Sequence, residues 1–182
     1  VDKGGTDMKP RDRKVLKDEP KVRMAGEKGS DHNKLRSELY RFAHERLEEA
    51  SEQGMLFEVI ALCDMLITDR IEAYCQYLLH NEDMQFPTES GHTAINFLGV
   101  ALKDNAPEVR SSVEWRELEK RLRSFFDGRN FALHSFVLIK NAVKDSSLEE
   151  RVEFVEAIAE EGVKLVRETD AFVRKEIKNQ TT

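Results

Sequence analysis

The chain has 182 residues, 35% of them charged and 40% hydrophobic, with a net charge of −6 and only 9 Gly and 4 Pro. This balance suits long, surface-charged helices, and it argues against a dedicated nucleic-acid coat while leaving room for a local basic site. No apolar run reaches membrane-spanning length, and the start of the sequence has no apolar signal region, so the expected compartment is the cytoplasm with no membrane partner.

Residues 1–34 carry 10 Lys and Arg against 7 Asp and Glu, or +3, which leaves −9 on the rest of the chain. With Gly4, Gly5, Pro10, Pro20, Gly26 and Gly29, residues 1–30 read as a polar, flexible arm before one helical domain over residues 31–178. No internal repeat is present.

The first helix is expected from Asp31 to Glu52, capped by Ser30 or Asp31, with Leu35, Leu39, Phe42, Leu47 and Ala50 on one face. Gly54 breaks it. The second runs from Met55 to Leu79, and its stripe Leu56, Val59, Ile60, Cys63, Leu66, Ile67, Ile71, Tyr74 and Leu78 follows the 3.6-residue period. Cys63 and Cys75 fall in this helix about 18 Å apart, too far to bond to each other, so they read as small core residues in a reducing compartment.

A loop with Pro87 covers Asn81 to Ser90. A short helix follows from His92 to Lys103, with Ile95, Leu98, Ala101 and Leu102 inward. Pro107 opens the next helix, which carries Val109, Val113, Trp115, Leu118, Leu122, Phe125 and Phe126 and is expected to continue, with a kink at Gly128, to Ile139. The string Ser147-Leu148-Glu149-Glu150 has capping-box spacing and opens a last helix to Lys178.

That last helix has a main apolar stripe, Leu148, Val152, Val155, Ala159, Val163, Val166, Val173 and Ile177. Phe154, Ile158, Leu165 and Phe172 form a flanking stripe. Two stripes imply either a central place in the bundle or a dimer face. No strand pair is expected, and the fold reads as an all-α, up-and-down helical bundle of four long helices plus a short one.

The chemistry concentrates in Arg129-Asn130-Phe131-Ala132-Leu133-His134. Asn130 and His134 are four apart and share a helical face, while Arg129 stands about 140° round from His134. Arginine can clamp phosphate oxygens bidentately, and histidine can take or give a proton near neutral pH. Asparagine can hold the imidazole tautomer or a sugar. Such a set suits cleavage of a phosphodiester without a metal or other cofactor when the nucleophile is the 2′-hydroxyl of RNA. The plainer reading is that Arg129 and His134 satisfy the end of their helix.

An Arg-Asn-x-x-x-His string at a helix end, inside an all-α domain of this size, resembles the HEPN superfamily. Many of its members are metal-independent ribonucleases of toxin–antitoxin, defence and RNA-processing systems. The resemblance implies a homodimer whose two motifs meet in a cleft, with His134 as acid/base, Arg129 on the phosphate and Asn130 orienting one of them. It also implies RNA as substrate and an antitoxin or regulatory protein as partner. Where toxins paired with a nucleotidyltransferase commonly carry Tyr two residues after the His, this chain has Phe136. The string is also similar to one in helical proteins resembling the mannitol-operon repressor, which implies a non-catalytic regulatory module.

Arg116, Lys120 and Arg123 recur at helical spacing and can form a basic track for RNA, or a solvated face paired as Glu117–Arg121 and Glu119–Arg123. Asp69 and Glu72 on the second helix are candidate carboxylates to hold Arg129 or His134. His80, Glu82, Asp83 and His92 lack metal-ligand spacing, and no metal is expected.

Overall fold

The structure is a computed structural model that describes residues 21–22, 31–80, 85–86, 91–136 and 147–180. It is an all-α helical bundle. Its elements in chain order are β1 (Lys21–Val22), α1 (Asp31–Glu52), α2 (Leu56–Leu78), β2 (Gln85–Phe86), α3 (Gly91–Asn105), α4 (Pro107–Ser111), α5 (Val113–Asn130), a π-helical turn (Phe131–Ser135) and α6 (Leu148–Gln180). The first departure from the sequence reading is small. β1 and β2 pair antiparallel, Lys21 opposite Phe86 and Val22 opposite Gln85, which ties residues 21–22 of the arm to residues 85–86 after α2. The rest of the arm and the expected cap at Ser30 lie outside the described residues.

The helix ends follow local chemistry. Gly54 adopts φ +67°, the left-handed conformation that ends a helix cheaply only without a Cβ. The Met55 N–H donates to the Ala50 carbonyl (2.9 Å) and the Gly54 N–H to the Ser51 carbonyl (3.2 Å), the bond pair of a Schellman stop. At α6 the Ser147 N–H donates to Glu150 Oε2 (2.8 Å) and the Glu150 N–H to Ser147 Oγ (3.1 Å), so the capping box forms as read. The helix expected from Pro107 onward is instead interrupted. Ser112 turns extended at ψ 148° and its Oγ accepts from the Trp115 N–H (3.1 Å), starting α5 afresh. Val113, named among the apolar residues of this helix, opens α5 and is exposed.

Inter-helix contacts fix the directions. Arg46 meets Glu58 and Arg36 meets Asp69, so α1 and α2 are antiparallel. Arg121 reaches Glu161 and Glu168 on α6, and Gly128 lies against Ile158, so α5 and α6 are also antiparallel. Arg70 meets Asp170, and Tyr77 Oη donates to the Ile177 carbonyl, so α2 and α6 run together. The four long helices therefore alternate up and down, and α3 and the five-residue α4 are short additions, one more than expected.

The α2–α6 pair is the centre of the bundle. Residues of both α6 stripes are buried within the chain: Val155, Ala159 and Val166 from one, Leu165 and Phe172 from the other. Trp115 packs on Phe172 with ring centroids 5.7 Å apart. The central place of α6 thus accounts for the middle of both stripes, while Leu148 and Phe154 near its start are exposed. On α1 the structure overturns three of the five residues of the expected face. Ala43, Leu47 and Ala50 are buried, but Leu35, Leu39 and Phe42 are 55%, 59% and 65% exposed. The helix is rotated so that Tyr40 faces α2, its Oη donating to the Leu66 carbonyl (3.3 Å).

Gly128 is not a kink. It sits inside α5, where a Cβ would come within 2.1 Å of Ile158 Cδ1, so glycine here permits close approach of α5 to α6. The irregularity comes three residues later, in the π turn. Of the run expected to continue to Ile139, residues 137–139 lie outside the described residues.

Candidate functional site

The Arg-Asn-x-x-x-His string straddles the end of α5 and the π turn. In an unbroken α-helix His134 would stand about 140° from Arg129; a π turn, closed by i→i+5 bonds, is wider and reduces that angle. That geometry sets His134 closer to the meridian of Asn130 than a regular α-helix would. Both His134 and Asn130 are exposed, and Ala132 between them is buried.

Aromatic packing clamps the π turn. Phe131 meets Phe154 of α6 edge-on with centroids 5.1 Å apart, and Phe136 meets Phe57 of α2 at 5.3 Å. Arg151 Nη1 donates to the Phe136 carbonyl (2.6 Å). These contacts hold the backbone on either side of His134 while its ring projects into solvent.

Arg129 is oriented from α2. Its Nη2 donates to Asp64 Oδ2 (2.7 Å) and its Nη1 to Asn130 Oδ1 (2.8 Å). The Arg129 and Asp64 side chains are only 23% and 18% exposed, so the pair is weakly screened and its geometry well defined. Arg129 Nε is buried and, among the described residues, has no hydrogen-bond partner. The carboxylate on Arg129 is therefore Asp64, and neither of the two expected acids takes that place. Asp69 pairs with Arg36 (3.4 Å), and Glu72 is buried on the inner side of α2 two helical turns beyond Asp64. Asp64 escaped the sequence reading because the 3.6-residue stripe passes through Cys63 and Leu66 and leaves Asp64 off the core face, where it reads as one more surface charge. A lone carboxylate in the run Leu62-Cys63-Asp64-Met65-Leu66 was the available signal.

The expected basic track is partly spent. Arg123 donates to Glu119 Oε1 (2.7 Å) and to Asn96 Oδ1 (2.9 Å), while Arg116 Nε reaches its own helix at the Ser112 carbonyl (3.4 Å). Lys120 is exposed. Of the two ion pairs foreseen on this face, Glu119–Arg123 forms, but Arg121 turns to Glu161 and Glu168 on α6 instead of Glu117.

Of the histidines around the Pro87 loop, His80 follows the end of α2 with φ 48° and His92 lies at the start of α3, its Nε2 3.1 Å from Asp127 Oδ1. Glu82 and Asp83 lie outside the described residues. The thiols of Cys63 and Cys75 are pushed up to about 12 by burial, with Asp64 adding to the effect at Cys63 and Glu72 at Cys75, so neither is a nucleophile at neutral pH.

No protein-family model matches this chain, and no curated protein or solved structure matches it either. The functional reading rests on the site itself. It offers an oriented guanidinium, an adjacent amide and an exposed imidazole, the groups needed to bind a phosphodiester and move a proton beside it.

Proposed function

We propose that this protein is an endoribonuclease that needs no metal, with His134, Arg129 and Asn130 as its working groups. The observation that carries the reading is the π turn. His134 lies within it, shortly after an arginine held by Asp64, and π turns recur at functional sites. His134 takes the proton of an RNA 2′-hydroxyl, the 2′-oxygen attacks the adjacent phosphorus, and the P–O5′ bond breaks. The products are a 2′,3′-cyclic phosphate and a 5′-hydroxyl end. Arg129 offsets the charge that builds on the phosphorane, and Asn130 positions the phosphate or the imidazole. Exposed Lys120 and Arg116 extend the positive surface available to the RNA strand along α5.

A HEPN-like homodimer in the cytoplasm, restrained by an antitoxin or serving a defence system, is the biological setting this chemistry fits. The test is incubation of wild type, His134→Ala and Arg129→Ala with mixed RNA in EDTA, followed by end-group analysis. Cleavage by wild type alone, leaving cyclic-phosphate ends, supports the reading. Cleavage that survives either substitution overturns the mechanism.

A second reading has its own observation. The exposed row Leu35, Leu39 and Phe42 gives α1 an apolar outer face of the kind interaction modules use. On this reading the chain is a non-catalytic regulator, similar to mannitol-operon-repressor-like proteins. No variant or wild type then cleaves RNA, and any partner-dependent phenotype survives His134→Ala.

A further inference from the structure

A phosphodiester cleaved by its own 2′-hydroxyl needs two proton transfers, one from the attacking oxygen and one to the leaving oxygen. His134 supplies the first in the reading above and leaves the second unassigned. A second imidazole packs against the turn of α5 that precedes the motif. His92, at the start of α3, lies across from the last turns of α5, its Nε2 3.1 Å from Asp127 Oδ1 and its ring centroid 5.8 Å from that of Phe126.

Asp127 belongs to the exposed face of α5 that leads to the motif. Asp127, Asn130 and His134 are spaced i, i+3 and i+7, which places them along one side of a helix over roughly 10 Å. Asn130 stands between the other two, with Arg129 about 100° to one side of it and Asp127 about 60° to the other. The result is an arc anchored by a carboxylate at each end: Asp64 on Arg129 and Asp127 on His92. Asp127 is 77% exposed, so the His92 end of the arc opens to solvent where a strand could lie. Close packing fixes this junction, because a Cβ on Gly91 would fall 2.0 Å from the Phe126 ring.

We propose that His92 is the proton donor to the leaving 5′-oxygen and that Asp127 is its positioning residue; this rests on the ribonuclease reading above. A phosphodiester at Asn130 has His134 on one side and His92 on the other. His134 removes the proton from O2′, the O2′–P bond forms, and the P–O5′ bond breaks. The electron pair leaves on O5′, which takes the proton from the His92 imidazolium. His134 ends protonated and His92 neutral, and exchange with water resets both. Asp127, accepting a hydrogen bond from Nε2, fixes the His92 ring and leaves Nδ1 as the nitrogen that donates to O5′.

The deciding experiment compares an RNA carrying an ordinary scissile linkage with one whose 5′-bridging oxygen is replaced by sulfur, because a thiolate leaves without protonation. On the ordinary linkage, His92→Ala is expected to lower kcat by about 10²–10⁴-fold. On the sulfur linkage it should cleave within about tenfold of wild type, while His134→Ala stays inactive on both. Asp127→Asn should show a smaller, roughly tenfold loss that sulfur also repairs. Thermal unfolding of each variant separates this from misfolding.

If His92→Ala cleaves the ordinary linkage as wild type does, or is equally impaired on both substrates, the assignment to His92 is overturned while the ribonuclease reading stands. A wild type inactive on both overturns the ribonuclease reading and this inference with it.

Discussion

Arg129 and Asp64, sixty-five positions apart in sequence, meet at 2.7 Å across the seam between α5 and α2. The pair is mostly shielded from water, so removing one partner leaves a charge that is neither paired nor well solvated. Asp64→Ala is expected to cost about 1–3 kcal/mol of stability. The Asp64→Ala/Arg129→Ala double variant should lose less than the sum of the two single losses. Urea unfolding of all four proteins measures the coupling. Strict additivity would show that the two groups do not interact in solution.

His134 offers the opposite balance. Its ring is exposed, and among the described residues no hydrogen bond restrains it. His134→Ala should therefore change stability by no more than about 0.5 kcal/mol while removing RNA cleavage. A large fall in melting temperature would assign His134 to the fold and weaken its claim as the proton-transfer group.

The helical glycines divide by what surrounds them. Gly99 has nothing within 4 Å of a Cβ position, so Gly99→Ala should stabilise α3 by about 0.5–1 kcal/mol. Gly128→Ala would push a methyl to 2.1 Å from Ile158 Cδ1, which outweighs the helix-propensity gain and should destabilise by about 1–3 kcal/mol. Gly128→Ala/Ile158→Ala makes room and should recover part of the loss. Chemical denaturation checks both signs.

Alkaline pH should weaken the fold. Burial raises the thiols of Cys63 and Cys75 from 9.0 to about 12 and moves the phenols of Tyr40 and Tyr74 up as well. The folded state thus favours the neutral forms, while the unfolded chain releases these protons at ordinary values. The resulting stability is complete below pH 9 and is lost as pH rises toward 12. The urea midpoint should fall over that range, and at pH 8 a thiol reagent should label neither cysteine until the protein is unfolded.

On α1 the sequence and the structure disagree in a way mutation can read. Leu39 is exposed and Leu47 buried, although both belonged to the face expected inward. Leu39→Glu should alter stability by no more than about 0.5 kcal/mol, whereas Leu47→Ala should cost about 2–5 kcal/mol. Equal losses would mean that the outer face of α1 is covered in solution.

Much of the candidate site was legible from residue type and spacing. Arg129, Asn130 and His134 stood out because a guanidinium, an amide and an imidazole fall within two turns. Their supports did not stand out. Asp64 lay off the apolar stripe of α2 and read as one more surface charge, Asp69 and Glu72 looked equally able to reach Arg129, and nothing local links His92 to Asp127 thirty-five positions later. The break at Ser112 was written in a serine three residues before Trp115, but the longer apolar period on either side of it masked that signal.

The sequence by itself determined the helices and most of their ends. A 3.6-residue apolar period, a Gly in the left-handed conformation at position 54 and a capping box at Ser147 act within a few residues, so they need no tertiary information. Only the tertiary structure decided how each helix is rotated and which distant charges meet. α1 carries two neighbouring rows, Leu35-Leu39-Phe42 and Tyr40-Ala43-Leu47, and either satisfies the helical period. Docking on α2 through Arg36–Asp69, Tyr40 to the Leu66 carbonyl and Arg46–Glu58 chose the second. The same packing selected Asp64 for Arg129 and surrounded the π turn beside His134 with aromatic rings. Burial energy depends on which faces meet in space, and spacing along the chain leaves that choice open.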